Sequence, residues 1–428
     1  MPQKLDYAAF IGIDWADTEH AVCLLTPDGS SEKQVIAQKP EDLAAWAIQL
    51  RQRFGGKRIA VCLEQSRGAL IYALMQYDFL VLFPINPSQL AAYRKALNPS
   101  GAKDDPKDAR LLASFLREHG EQLRAWKPDD EVTRGLRLLT EQRRRWVEDR
   151  VAYCNELLQR LKESYVLALK FAGTELHALN FLALLEQFPS QRDLQRASPQ
   201  QLAKWLPRRR RVPDDPPAEE LLQARIAEVR NTPLLTKDAA ILDVSRLAVM
   251  HLVAMLRQLN QSIASCEKRI AELMEKHPDT PIFASFPGAG PALKPRLIAA
   301  FGTDRKKFAS AQDLQRLGGI APVTKRSGKT CYVQMRWACP KFLRQTFHEF
   351  ARCSQKKCRW AKAYVAMLQS RGKGYNQAIR ALAFKWLRIM FRCWQTGKPY
   401  DDDRYLQKLT ERGSPLLAHL APKPSEVT

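Results

Sequence analysis

Four carboxylates stand where side chains of different segments could meet. Asp14 and Glu64 each close a short apolar run, Ala8–Asp14 and Arg58–Glu64. Asp105 and Asp108 lie in Lys103-Asp104-Asp105-Pro106-Lys107-Asp108-Ala109, which opens an expected helix through Leu111, Leu112 and Phe115. A spacing of three puts Asp105 and Asp108 on one helix face, and acids there suit the positive end of the helix dipole. Converging, the four could hold two Mg²⁺ ions about 3.5–4 Å apart, the arrangement that clamps the attacking and leaving oxygens of a phosphodiester. Hard divalent cations prefer such oxygen ligands. Taken one at a time, each acid reads equally as a solvated or capping residue.

A second constellation is Gly318-Gly319-Ile320-Ala321-Pro322-Val323-Thr324-Lys325-Arg326-Ser327-Gly328-Lys329. Cations around a serine lower the cost of an alkoxide and hold phosphate close. Ser327 is therefore either a nucleophile or a hydroxyl that contacts phosphate. The nearest histidine in sequence is His348. Upstream, Phe286-Pro287-Gly288-Ala289-Gly290-Pro291 precedes a helix over Leu293–Phe301. Gly288, Gly290 and Lys294 there form either an anion site at a helix N-terminus or a tight structural turn. Lys325, Arg326, Lys329, Arg336 and Arg344 complete the candidate nucleic-acid contacts. Cys331, Cys339, Cys353 and Cys358 lack paired C-x₂-C spacing, which argues against zinc.

The charge distribution agrees with a polyanion partner. The 428 residues carry a net charge of +23. Residues 1–125 hold 15 basic and 15 acidic side chains, residues 126–280 hold 25 and 22, and residues 281–428 hold 28 and 8. A neutral first third and a strongly cationic last third point to nucleic acid. Hydrophobic residues are 45% of the chain, too many for wholesale disorder. No uninterrupted apolar run approaches the roughly 18–20 residues of a bilayer span, so no membrane association is expected. Nine scattered cysteines and the absence of a signal-peptide pattern suggest a reducing cytoplasm.

The elements that must position these groups divide the chain. Residues 1–127 alternate strands with helices, two or three strands leading, which fits a ribonuclease H topology; no G-x-G-x-x-G follows the first strand. A helix is expected over Gly68–Tyr77. Residues 128–280 read as helical. Leu242, Val249, Leu256, Ile263 and Ile270 recur every seven residues, with Leu252, Leu259, Cys266 and Leu273 as the second heptad position. With the amphipathic stretch around Val147–Tyr165 they suggest an antiparallel coiled coil. The proline- and arginine-rich stretch near 207–218 is either its tip or a solvated linker. Residues 281–400 form a mainly α basic domain, with helices expected at 340–354, 359–369 and 374–396. Residues 401–428 read as a polar tail, poorly ordered at its end.

Together these segments resemble the DEDD transposases of the IS-one-ten family, the bridge RNA-guided serine recombinases. The resemblance is carried by Ile11-Gly12-Ile13-Asp14, Leu63-Glu64, Lys103–Ala109, Phe286–Pro291, Gly319-Ile320-Ala321-Pro322 leading to Ser327-Gly328, and Cys339–Arg344. It implies a RuvC-like Mg²⁺ site on Asp14, Glu64, Asp105 and Asp108, and a serine nucleophile at Ser327. It further implies donor and target DNA, a noncoding guide (bridge) RNA, a homodimer assembling to a tetramer, and a bacterial, nucleoid-associated cytoplasmic enzyme. Asp104 stands where the family usually has Thr or Ser. The resemblance says nothing of residues 170–235. The alternative reading is a metal-only, structure-selective nuclease such as a junction resolvase, with a non-enzymatic RNA-binding scaffold more distant.

Overall fold

The computed structural model describes residues 6–64, 68–97, 105–205, 218–328 and 330–420. It divides into two compact units, residues 1–128 and 129–428.

The first unit is built on a five-stranded sheet of order β3-β2-β1-β4-β5. The strands are β1 (Phe10–Asp14), β2 (Glu19–Leu25), β3 (Ser31–Ala37), β4 (Ile59–Leu63) and β5 (Leu80–Pro84). The first three pair antiparallel, whereas β1, β4 and β5 run parallel. Strand β4 is apolar throughout because helices cover it: every residue is buried. Helices α1 (Pro40–Arg53) and α2 (Ala69–Leu74) supply Leu43, Trp46, Leu70 and Ile71 to one core. The second helix is shorter than expected. Helices α3 (Pro87–Leu97) and α4 (Asp105–His119) follow, with Leu90, Leu112 and Leu116 in another core.

Gly12 decides how closely α4 can sit. A methyl group at this position would lie 2.0 Å from the Ala109 carbonyl oxygen and 2.5 Å from the Ala113 nitrogen. Both obstacles are backbone, so neither can swing aside. Gly12→Ala should therefore force α4 off β1, with a loss of about 3 kcal/mol, the upper end of overpacking costs. Thermal unfolding of the full chain should show the transition of this unit shifted down. An unchanged transition would mean that α4 packs elsewhere.

Among the described residues, the regular elements of the second unit are helices and one hairpin. Two long helices, α5 (Glu131–Ser164) and α11 (Ala239–Lys276), pack antiparallel: Arg143 pairs with Glu267 at 2.5 Å, and Arg150 donates to Asn260 at 3.0 Å. Of the heptad positions, Val249, Leu252, Leu256, Ile263, Cys266 and Ile270 are buried, while Leu242, Leu259 and Leu273 are half-buried. Between them, the rest of the stretch read as helical folds into helices α6 (Val166–Leu169), α7 (Leu179–Gln187), α8 (Gln191–Arg196), α9 (Pro199–Trp205) and α10 (Ala218–Asn231). This helical head has its own core, with Phe181, Leu185, Leu202 and Val229 closing over Leu157, Leu161, Leu252 and Leu256 of the long pair. The expected tip near 207–218 falls almost wholly outside the described residues. Helix α11 is, among the described residues, long and apolar enough to pass as a bilayer span by length and composition, which the interrupted runs of the sequence had concealed. Its heptad face is spent on α5.

The remaining helices are α12 (Thr280–Ala284), α13 (Lys294–Phe301), α14 (Ala311–Leu317), α15 (Lys341–Ser354), α16 (Arg359–Ser370), α17 (Tyr375–Thr396) and α18 (Asp402–Glu411). They share a core rich in aromatic rings: Phe283, Phe286, Phe301, Phe347, Phe350, Trp360, Trp386 and Trp394. Leu136 of α5 and Ile270 of α11 belong to it, so the long pair is rooted there. Much of residues 402–419 of the expected polar tail is helical, and its end, residues 421–428, lies outside the described residues. Tyr405, Leu406, Leu409 and Leu416 recur at near-helical intervals and dock on the aromatic core.

Candidate active site

The strand register places the first two acids side by side. Ile13 lies opposite Leu63 in the parallel pair of β1 and β4, so Asp14 and Glu64, each one residue further on, emerge from adjacent strand ends. Both are half-buried. Cys62, behind Glu64, is pushed up to about 12 by burial and then by the Glu64 carboxylate. Gly12 points to the same side of β1 as Asp14, two residues on, and that side carries α4.

On α4, Asp108 is buried, with only 2% of its surface exposed. Its carboxylate accepts from Arg94 of α3 through two bonds, Nε to Oδ1 at 2.9 Å and Nη2 to Oδ2 at 2.6 Å. Asp105 is the first residue of the same helix. Among the described residues no three His, Cys, Asp or Glu side chains are grouped closely enough to hold a metal. The donor set is nonetheless all carboxylate oxygen, which fits a hard divalent ion. Such an ion could be held by Asp14 and Glu64 at the adjacent strand ends; Asp108 is engaged by Arg94, and the side chain of Asp105 lies outside the described residues. Arg94 was not singled out from the sequence, because nothing local links residues fourteen apart on different helices.

Removing that arginine leaves a buried carboxylate without a partner, a change that costs about 3–5 kcal/mol. Arg94→Ala should accelerate hydrogen exchange along α4, and Asp108→Asn in the same chain should restore part of the protection. Unaltered exchange in the single variant would show that solvent compensates Asp108.

The serine lies on a different kind of element. Strands β6 (Val323–Ser327) and β7 (Thr330–Gln334) form a two-stranded antiparallel hairpin with Ser327 opposite Thr330, so the expected glycine-rich loop is a hairpin. Gly328 takes φ +53° in its two-residue turn, a conformation that favours glycine. Lys329 lies outside the described residues. Ser327 is exposed, and among the described residues its hydroxyl has no hydrogen-bond partner. Lys325 and Arg326 precede it, both exposed. Tyr332, Val333 and Trp337 are exposed too, at 53%, 64% and 73%. An isolated hairpin is marginal in water, so the base must hold it. Gly319, at φ +67°, leaves room for Cys339, whose Sγ would stand 2.2 Å from a methyl there; Gly318 likewise meets Phe347. The strands are thus clamped where they enter and leave the domain.

Around that base the charge is dense. Arg344 donates to the Arg336 carbonyl at 3.4 Å and lies over the Trp337 ring. Arg380 of α17 approaches the Met335 sulfur at 3.3 Å. Among the described residues, the buried Nε atoms of Arg336 and Arg380 have no hydrogen-bond partner. His348 of α15 is pushed down to about 4 by burial and then by Arg380, Arg344 and Arg352, so its imidazole is neutral at physiological pH. The sequence had marked Arg336 and Arg344; Arg352 and Arg380 enter only through the packing of α15 and α17.

The turn at 286–291 is more self-contained. The N–H groups of Ala289, Gly290, Leu293 and Lys294 donate to carbonyls within the turn. Gly288, at φ +85°, sits against the backbone of Cys353 and Ser354, where a methyl would be 2.8 Å away. Lys294 remains half-exposed at the start of α13.

Comparison with known proteins is consistent along the chain. Residues 11–166 match the profile of a family described as Transposase, of the DEDD type, and residues 280–366 match one described as Transposase IS116/IS110/IS902 family. The two profiles together account for more than half of the chain. The chain is 28% identical to the "Mini-circle putative transposase for IS117" of Streptomyces coelicolor, over 94% of this chain and 97% of that protein. It is 26% identical to an uncharacterized protein of insertion element IS110 from the same organism, over 92% and 96%. A third relative, an uncharacterized protein of insertion element IS900 from Mycobacterium paratuberculosis, is 28% identical over 89% and 94%.

Proposed function

Because the chain belongs to the IS110 family of transposases, we propose that this DNA transposase cuts and rejoins strands through Ser327, assisted by a Mg²⁺ site on Asp14, Glu64, Asp105 and Asp108. The observation that carries the reading is the placement of Ser327: a hydroxyl without a partner among the described residues, at the tip of a clamped hairpin and preceded by the exposed cations Lys325 and Arg326. A structural serine would be expected to cap or bond something; this one faces outward.

In the proposed reaction, Ser327 Oγ gives up its proton and bonds to the phosphorus of a phosphodiester as the bond to the 3′ oxygen breaks, and the departing 3′ oxygen takes up a proton to become a hydroxyl. The strand stays attached as a phosphoserine. Because one phosphate ester replaces another, the step is reversible and needs no nucleotide cofactor. Lys325 and Arg326 hold the phosphate, and Arg336 and Arg344 add positive charge at the hairpin base. Asp14, Glu64, Asp105 and Asp108 would hold a divalent ion, which would supply further positive charge to the reaction; the DEDD family implies such a cofactor.

We assign choice of site to a noncoding guide RNA pairing with donor and target DNA, which leaves the protein to contact backbones. A cationic last third suits that division of labour. Cutting two strands on each of two DNAs requires several protomers, so a homodimer assembling to a tetramer is the expected working state. Ile241, Val244, Leu247 and Met250, exposed on α11, support self-association through the long helix pair. Acting on chromosomal DNA places the enzyme at the bacterial nucleoid.

The test is to quench the reaction in denaturant and ask whether DNA stays attached to protein. A covalent adduct mapping to Ser327 supports the recombinase. Cleavage without an adduct identifies a metal-only nuclease, in which Ser327 merely touches phosphate.

A further inference from the structure

The lower half of α17 and the length of α18 enclose a cleft of about 550 Å³ that the reading above does not use. Its charge is one-sided. Lys385, Arg388 and Arg392 line it from α17, Arg404 and Lys408 from α18, and Arg412 and Lys398 from the flanking turns. Spacings of three and four keep each set on one helix face. The single acid in the lining, Asp401, is already engaged: its carboxylate accepts from the Arg404 backbone N–H at 3.0 Å as the N-cap of α18. Among the described residues none of these seven cations forms an ion pair. Lys385 is surrounded by rings instead, its Nζ 4.6 Å from the centre of Tyr364, 5.3 Å from Trp360 and 5.8 Å from Tyr405.

Seven like charges around a concavity repel one another, and such a focused field concentrates anions. We propose that the α17–α18 cleft is a seat for a phosphodiester backbone, separate from the serine hairpin. The inference rests on reading the chain as a nucleic-acid enzyme but does not depend on Ser327 as nucleophile. Arg380, at the hairpin base, and Arg392, in the cleft, are twelve residues apart on one helix, about 18 Å at 1.5 Å per residue. The cleft therefore holds its phosphates at a place on α17 apart from the hairpin base. DNA and RNA share this chemistry, and the experiment separates them.

Full-length protein carrying Arg388→Glu, Arg392→Glu and Arg404→Glu is titrated against a labelled 30-base-pair duplex DNA and a single-stranded RNA of equal length, at several salt concentrations. Where the cleft binds, affinity at low salt should fall at least tenfold. The slope of log K against log salt should shrink by about 2–3, since each neutralised phosphate contributes about 0.9 on duplex and 0.7 on single strands. Loss on the duplex alone assigns the cleft to DNA, and loss on the RNA alone assigns it to RNA. The triple Arg→Lys variant, which keeps the charge, should retain the slope. If the triple Glu variant does not fold, Arg392→Glu alone, at an exposed position, should reduce the slope by about one. Unchanged affinity and slope with both probes, while Lys325→Glu with Arg326→Glu weakens binding, would overturn the cleft and leave the transposase reading standing. A wild-type protein that binds neither probe would overturn both.

Discussion

Ser327→Ala protein is expected to bind nucleic acid like the wild type yet form no covalent adduct and no recombinant product. Alanine lacks the oxygen that must bond to phosphorus, so the loss is that of the whole covalent pathway. Activity should fall to the background of the assay, several orders of magnitude below wild type. The fold should be indifferent to the change. Ser327 is exposed at a hairpin tip and makes no hydrogen bond among the described residues, so no packing or polar contact is lost. Ser327→Cys restores a nucleophile that is softer and bulkier, and should recover at most a trace. Denaturing electrophoresis of labelled DNA after quenching reads adduct and cleavage at once. Cleavage by Ser327→Ala near the wild-type rate would remove the serine from the chemistry.

The second large effect concerns the strand-end acids. Asp14→Ala and Glu64→Ala should each lose strand cleavage by a factor of about 10³ or more, comparable to removing one preorganised electrostatic group from an active site. Nucleic-acid binding should be intact or slightly tighter, because the charge removed is negative. Both side chains emerge at strand ends and are half-buried, so truncation should cost little stability. Chelation of divalent ions should reproduce both variants, and neither should form the Ser327 adduct. The discriminating measurement is the pair of readouts, cleavage against affinity. Recombination by Glu64→Ala at the wild-type rate would show that Asp14 and Glu64, adjacent as they are, hold no ion the reaction needs.

What was legible in the sequence follows the range of the forces involved. Strands ending in acids, heptads every seven residues and a basic last third are local patterns, and β1, β4, α11 and the charge of residues 281–428 stand where those patterns put them. Gly12 sat inside a quoted motif, yet its reason, the passage of α4 across β1, is tertiary. The Arg94–Asp108 pair has no sequence signal at all. The head was read as helical but not as a unit with its own core, because its helices, some of only four to seven residues, are too short to show a period. The folded tail was misread because composition outweighed the spacing of Tyr405, Leu406 and Leu409. The basic cleft could have been found: Lys385, Arg388 and Arg392 followed by Arg404, Lys408 and Arg412 are two charged stripes, legible once both segments are read as helices.

The helix pair that roots in one core and ends in another acts as a measuring rod. At 1.5 Å per residue the 34 residues of α5 extend about 51 Å. Leu136 and Ile270 are fixed in the aromatic core, while Leu157, Leu161, Leu252 and Leu256 are fixed in the head. Neither end can slide without exposing buried side chains. Adding one heptad to each helix would lengthen the rod by about 10 Å with almost no turn, whereas adding two residues would swing the head about 200° around the axis. Its length is therefore quantised by the heptad, and whatever the head touches is held at a set distance from the domain that carries Ser327.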